Sequence, residues 1–228
     1  MLDFGFYNMD CMQGMKQFPD KYFDLAIVDP VYGDVTQGGY MKNLDSTTKL
    51  AKPTPYHLGI WNQEKTDGAY FKELLRVSKN QIIWGGNYFT SSLPESQCWI
   101  VWDKQRTGGF ADFEIAWTSF NRASRMFRFM WNGMLQGDMK NKEFRIHPTQ
   151  KPVRLYEWLI GKFAKDGDII LDTHVGSASS LIAFHNTDHQ YVGFEIDEEY
   201  FRLAQKRLEQ ETAQMNIFDF MKGDPHDR

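Results

Sequence analysis

The stretch IILDTHVGSASSLIAFHNTDHQYVGFEID, Ile169 to Asp197, decides the fold. An apolar run ends in Asp172, a turn of glycine, serine and alanine follows, an apolar segment continues to Asn186, and a second apolar run ends in Glu195. This succession of strand, small-residue turn, helix and strand predicts a parallel βαβ unit, the building block of sheets covered on both faces. Gly176, Ser177 and Ser179 are small enough for a ligand to approach the backbone, and a helix N-terminus favours oxygen-rich groups. Glu195 lies about 20 residues further on, where an acid accepts hydrogen bonds from ribose hydroxyls in nucleotide sites. Ala178 stands where a second glycine would be expected, so a purely structural βαβ unit stays open beside a nucleotide site.

Working outward, TQKPVRLYEWLIGKFAKDGD places Val153, Leu155, Tyr156, Leu159, Ile160 and Phe163 on one helical face and closes at Gly167. EEYFRLAQKRLEQETAQ predicts a charged amphipathic helix, with a frayed tail beyond Asn216. In the first half, Phe4 to Asn8 and Leu25 to Val28 are short apolar runs separated by a segment long enough for a brief helix. From Asp34 to Gln63 the chain is polar and aperiodic, a long loop of the kind that is functional or mobile. TDGAYFKELLRVSKN predicts an amphipathic helix capped by Thr66 or Asp67, and QIIWGGNYF, QCWIVWDK and FEIAWTSF predict strands. Alternating strands and helices over 228 residues imply one α/β domain with a mostly parallel sheet.

Composition narrows the function. Two cysteines without paired spacing, Cys11 and Cys98, and an N-terminus with no basic region ahead of a long apolar run imply a reduced, cytoplasmic protein. No apolar segment approaches the ~20 residues that span a bilayer, which excludes membrane insertion. The net charge of −4 argues against a protein that coats nucleic acid. That average hides a local excess: Asn121 to Arg154 holds eight Lys or Arg against two acids. Arg122, Arg125, Arg128, Lys140, Lys142 and Arg145 within it form either a solvated surface or a phosphate-contacting patch. His185 and His189 are four apart but have no third partner at metal-ligand spacing, so no metal is implied.

A second short stretch carries the chemistry. In IVDPVYG, Ile27 to Gly33, an apolar run ends in an acid, Asp29, with Pro30 and Tyr32 behind it. A carboxylate and an aromatic at a strand exit mark a turn or an active site. Taken with IIWGGNYF, HPTQKP (His147 to Pro152), LDTHVGSASS and GFEID, the stretch resembles the amino-directed DNA methyltransferases of the β order, which use S-adenosylmethionine. The resemblance spans most of the chain and includes the permuted order, with the base-handling half ahead of the cofactor-handling half. It implies a Rossmann-like methyltransferase fold with a doubly wound sheet, a base-handling half over 1–120, a short recognition segment over 121–146, a cofactor half over 147–216 and a tail over 217–228.

The resemblance also implies roles. Asp29 and the Pro30 carbonyl would accept hydrogen bonds from the two N–H groups of an exocyclic amine, favouring a pyramidal nitrogen with an exposed lone pair. Tyr32 would stack on the base, which must leave the duplex to react. Asp10 would meet the cofactor's adenine while also serving as a helix N-cap, and Cys11 would line the pocket or the core. Thr149 or Lys151 would contact the cofactor, alongside Asp172, His174, Gly176, Ser177, Ser179 and Glu195; Thr149 and Pro152 equally suit a helix start. Asp29 favours adenine N6 as acceptor, because relatives acting on cytosine more often carry serine there; cytosine N4 stays open.

Val31 replaces the family's second proline and Ala178 one of its glycines, so a catalytically degenerate DNA- or cofactor-binding relative remains an alternative. An NAD-dependent oxidoreductase would fit the βαβ unit, but neither DPVYG nor HPTQKP. The expected partner is double-stranded DNA. With so short a recognition segment, specificity is expected to be short, relaxed or shared across a homodimer.

Overall fold

The computed structural model describes residues 1–33, 65–105, 111–132 and 135–221. The loop expected over Asp34 to Gln63 lies outside the described residues. The chain begins with β1 (Gly5–Asn8), α1 (Cys11–Met15) and β2 (Phe23–Val28), and resumes with α2 (Gly68–Val77) and β3 (Ser78–Trp84). There follow β4 (Trp99–Asp103), β5 (Phe113–Thr118), β6 (Arg125–Arg128), β7 (Trp131–Asn132) and β8 (Leu135–Gln136). The last part is α3 (Val153–Phe163), β9 (Ile170–Asp172), α4 (Ser179–Asn186), β10 (Tyr191–Glu195) and α5 (Glu198–Met221).

Side-chain chemistry sets the helix starts. Asp10 caps α1 by accepting from the Gln13 N–H at 3.0 Å, and Asp67 caps α2 by accepting from Tyr70 at 3.1 Å. The start of α3 departs from expectation: Pro152 is the N-cap, and Thr149 instead turns its hydroxyl to His147 Nδ1 at 3.0 Å. The Glu143 carboxylate takes over the capping work, accepting from the Val153 N–H at 2.9 Å. α5 runs past Asn216 to Met221.

Eight strands form one sheet in the order β1-β10-β9-β2-β3-β5-β4-β6. The first five are mutually parallel, β5 is antiparallel to both its neighbours, and β6 runs parallel to β4. The period of two assigns each face. Leu25, Ile27, Ile82 and Trp84 meet α3 and α4, while Ala26, Val28 and Ile83 meet α1 and α2. Both faces are therefore apolar and covered, as the near-continuous apolar runs predict.

The basic segment holds a surprise. A strand, β6, and a small antiparallel β7–β8 pair occupy it, where the sequence shows no period. Only Phe127 of β6 is buried, so an edge strand with one inward side chain leaves no alternation to read.

The order reverses between β9 and β2. From β9 the chain crosses by α4 to β10 on one side, and from β2 by α2 to β3 on the other. In doubly wound sheets a ligand crevice opens at such a reversal, outside the carboxyl ends of the strands. Asp172 and Asp29 stand at those ends. Among the described residues no helix is long and apolar enough to cross a membrane.

Candidate active site

A cavity of about 260 Å³ opens at the reversal point. Its wall gathers Asp10, Cys11, Asp29, Thr149, Lys151, His174, Gly176, Ser177 and Glu195 from five separate parts of the chain. Val31 also lines it, and so do Thr66, His147, Gln150 and Tyr156, which were not singled out for the site from the sequence. His147 and Gln150 lie inside the HPTQKP stretch, so the signal was present; Tyr156 read only as part of an apolar helical face.

On the β2 side, Asp29 is held at both oxygens. The Tyr32 hydroxyl donates to Oδ1 and the Lys151 ammonium to Oδ2. Tyr32 does not present an open ring to the cavity: the ring stacks on Tyr88, with centroids 5.0 Å apart and planes 23° from parallel, and packs against Phe89 at 6.1 Å. The second member of that stack, Tyr88, is 39% exposed. The Val31 carbonyl accepts from the Thr66 N–H at 3.1 Å, which ties the loop to the segment leading into α2.

Lys151 is 4% exposed and bridges two carboxylates, Asp29 and Glu114, the latter at 3.3 Å. Glu114 in turn accepts from Lys104. Burial by itself would push the Lys151 ammonium down, but Asp29 and Glu114 outweigh it and the net shift is upward. Burial would likewise raise Glu114, yet Lys151 and Lys104 hold it down at about 2. Lys151 is therefore a buried ammonium within a charge network. Glu114 and Lys104 read only as strand residues in the sequence, because their meeting depends on the antiparallel pairing of β4 with β5.

On the β9 side, Asp172 is 2% exposed and sits behind the cavity wall. It accepts from the His174 N–H at 2.9 Å and from the Ser180 hydroxyl, so its work is to hold the turn. Burial pushes it up to about 7, and its hydrogen bonds offset this only in part. Gly176 adopts φ +56° and donates its N–H to Glu195 at 2.8 Å. Glu195 also accepts from Asp197 at 2.9 Å, and burial pushes its carboxyl upward.

Ala178 has φ +62°, the left-handed conformation that glycine adopts without cost. Ser179 likewise lies behind the wall, with its hydroxyl 3.1 Å from Ser177 and 2.9 Å from Arg207. Arg207 continues to Glu143 at 2.7 Å, which links α5, the turn and the start of α3. Burial lowers His174 to about 4 and His147 to about 3, the latter with help from Lys151, so both rings are neutral at pH 7. The Cys11 thiol is pushed up to about 12 by burial and then by Asp10, which removes it as a nucleophile.

The basic residues divide. Arg122 is a structural residue: its guanidinium lies 3.8 Å from the Phe163 ring centroid and donates to the Lys162 carbonyl at 2.7 Å, closing the end of α3. Arg145 stacks over Trp131 at 4.4 Å. Lys140 and Lys142 are exposed, as are Arg125 and Arg128 at opposite ends of β6. Arg128 stands beside Asp103 at the carboxyl end of β4, the same edge as the cavity. There it joins Arg154, Phe129 and Trp158 in an open groove of about 650 Å³. Arg125 lies at the other edge, away from this groove.

A family model described as DNA methylase, of the N6/N4 methyltransferase type, matches residues 83–206, more than half of the chain. The chain belongs to the N6/N4 DNA methylase family. It is 31% identical over 125 residues to the type II methyltransferase M2.DpnII of Streptococcus pneumoniae, a match covering 55% of this chain and 45% of that one. It is 24% identical over 252 residues to M2.MboI of Moraxella bovis, covering 92% and 89%. The match thus spans less than half the length of the pneumococcal relative.

Among solved structures, the M1.HpyAVI–SAM complex matches with TM-score 0.54 at 20% identity, covering 89% of this chain and 98% of that one. The PvuII DNA methyltransferase, described as cytosine-N4-specific, matches with TM-score 0.59 at 11% identity, covering 95% and 92%. At these identities the likeness establishes the fold, the Rossmann-like doubly wound sheet.

Proposed function

We propose that this methylase transfers the methyl group of S-adenosylmethionine to the exocyclic amine of a base flipped out of double-stranded DNA, with adenine N6 as the acceptor. The observation that carries the reading is the position of Asp29, a carboxylate at the reversal point of the sheet that lines the cavity; the reading assigns the carbonyl of the next residue, Pro30, as the second acceptor. Asp29, where cytosine-directed relatives more often carry serine, supports adenine.

The cavity suits the cofactor. Asp10 and Glu195 supply carboxylates at adjacent strand ends, Met9, Phe194 and Ile196 give apolar walls, and Gly176 opens the backbone. Once bound there, S-adenosylmethionine supplies an activated methyl group. The chain's own contribution is placement: Asp29 and the Pro30 carbonyl orient the amine, and the stacked pair Tyr32 and Tyr88 provides an aromatic platform beside it. Arg128, Arg154, Lys140 and Lys142 would contact DNA phosphates, which matches the position of the first two in the groove at the carboxyl edge.

Incubation with unmethylated DNA and methyl-labelled S-adenosylmethionine, followed by digestion to nucleosides, tests the reading. Label on N6-methyl-2′-deoxyadenosine is expected. Label on N4-methyl-2′-deoxycytidine would move the acceptor to cytosine, and cofactor binding without transfer to any DNA would favour a degenerate relative.

A further inference from the structure

The Asp29 carboxylate is occupied before any base arrives. Lys151 holds Oδ2, the Tyr32 hydroxyl holds Oδ1, and yet Asp29 must accept from an incoming amine if the function proposed above holds. A buried ammonium cannot leave its carboxylate for nothing, because an isolated charge in the interior is costly. The structure offers a destination: Glu114 Oε2, 3.3 Å from the same ammonium, on the neighbouring part of the sheet.

We propose that Glu114 is a positioning residue that takes Lys151 from Asp29 when the base enters, and that Lys104 keeps Glu114 charged and in place for the exchange. The inference rests on the reading of Asp29 as the amine acceptor. The groups facing Lys151 come from every element around it: Asp29 after β2, Glu114 on β5, His147 ahead of α3, and the Trp84 ring at the end of β3, 5.4 Å from Nζ. Tyr156 on α3 lies within the field of Asp29 and Glu114. His147 is neutral, so the two carboxylates are the only anions that directly bond the ammonium among the described residues. Lys104 and Lys151 against Asp29 and Glu114 give a network of zero net charge, and a short swing of the Lys151 side chain keeps the ammonium paired with Glu114 while Asp29 retains the Tyr32 hydroxyl and gains the N–H of the incoming amine.

The exchange clears Oδ2 for the whole step. The amine lone pair forms the N–C bond, the S–C bond breaks with its electrons going to sulfur, and the sulfonium becomes a thioether. The methylated nitrogen then gives one N–H proton to the freed carboxylate oxygen, which passes it to water as Lys151 returns. Lys151 stays an ammonium throughout and is not the proton acceptor.

The test is single-turnover transfer by the full chain with saturating DNA and labelled S-adenosylmethionine, on wild type, Glu114→Gln, Glu114→Asp and Lys104→Gln, beside cofactor affinity for each. Glu114→Gln is expected to slow transfer roughly tenfold or more, with cofactor affinity held within about twofold. Glu114→Asp is expected to restore part of the rate, and Lys104→Gln to lower it less. In Glu114→Gln the alkaline limb of the pH–rate profile moves to lower pH, since Lys151 keeps one anionic partner in place of two. Retained cofactor affinity separates this outcome from a failure to fold, and Lys104→Gln supplies a reading if Glu114→Gln does not fold. Transfer at the wild-type rate with an unchanged pH profile in Glu114→Gln would overturn the proposal while leaving the function intact. Absence of transfer by the wild type would overturn both.

Discussion

Gly85 lies against the ring of Tyr32: a β-carbon at Gly85 would come 2.2 Å from Cε1 and 2.6 Å from Cζ. The glycine also adopts φ +64°, so conformation and space demand the same residue. The first glycine of IIWGGNYF, Gly85, is therefore the seat of the Tyr32 ring, and through the Tyr32 hydroxyl it fixes the Asp29 carboxylate.

Gly85→Ala tests this seat. The side chain must displace Tyr32 and strain the backbone, so stability should fall by about 1–3 kcal/mol. Methyl transfer should fall further than cofactor affinity, since Asp29 and not the Glu195 side of the cavity is disturbed. Chemical denaturation and single-turnover assays read the two effects.

Ala178 gives the opposite case. It is fully buried at φ +62°, and the substitution Ala178→Gly removes strain at no loss of contacts beyond one methyl group. Stability should change by about +1 kcal/mol from the backbone term, reduced by the larger freedom of the unfolded glycine chain. A denaturation midpoint below that of the wild type would contradict the reading of strain.

Asp172 predicts a pH dependence. Its carboxyl is near 3.8 when unfolded and is raised to about 7 in the fold, so between these values the folded state holds a proton that the unfolded state has lost. Its contribution to stability is full below 3.8 and falls away as pH rises through 7. Asp172→Asn keeps an acceptor for the His174 N–H and removes the titration. The stability of this variant relative to wild type should therefore be greater at pH 8 than at pH 5, measured by denaturant titration at both.

The groove between β6 and α3 predicts a salt effect. Arg128→Ala with Arg154→Ala should raise the KM for DNA and flatten the slope of log affinity against log salt by about 1–2, the number of phosphates released. Arg122→Ala should leave the salt slope unchanged and lower stability, because its guanidinium closes α3 and touches Phe163.

Much of this was legible in the chain. The βαβ unit from Ile169 to Asp197 has both strands and a helix start written in local composition, and the parallel sheet followed from it. The cavity residues Asp10, Asp29, Gly176 and Glu195 each end a strand or follow one, which is why motif spacing finds them. Three features escaped. β6 buries one side chain and so carries no period. Glu114 and Lys104 act only because antiparallel pairing brings β5 back beside β4, a long-range fact. Tyr32, expected to stack on a base, is hydrogen-bonded to Asp29 three residues before it and stacked on Tyr88, and that stack depends on a neighbour remote in sequence.

The central claim is that the Asp29 carboxylate orients the amine that receives the methyl group. Asp29→Ala, compared with wild type on the same DNA under single-turnover conditions with cofactor affinity measured in parallel, tests it most directly. The account predicts transfer reduced about a thousandfold or more with cofactor affinity held within a few fold. Transfer at a rate near wild type by Asp29→Ala would contradict it.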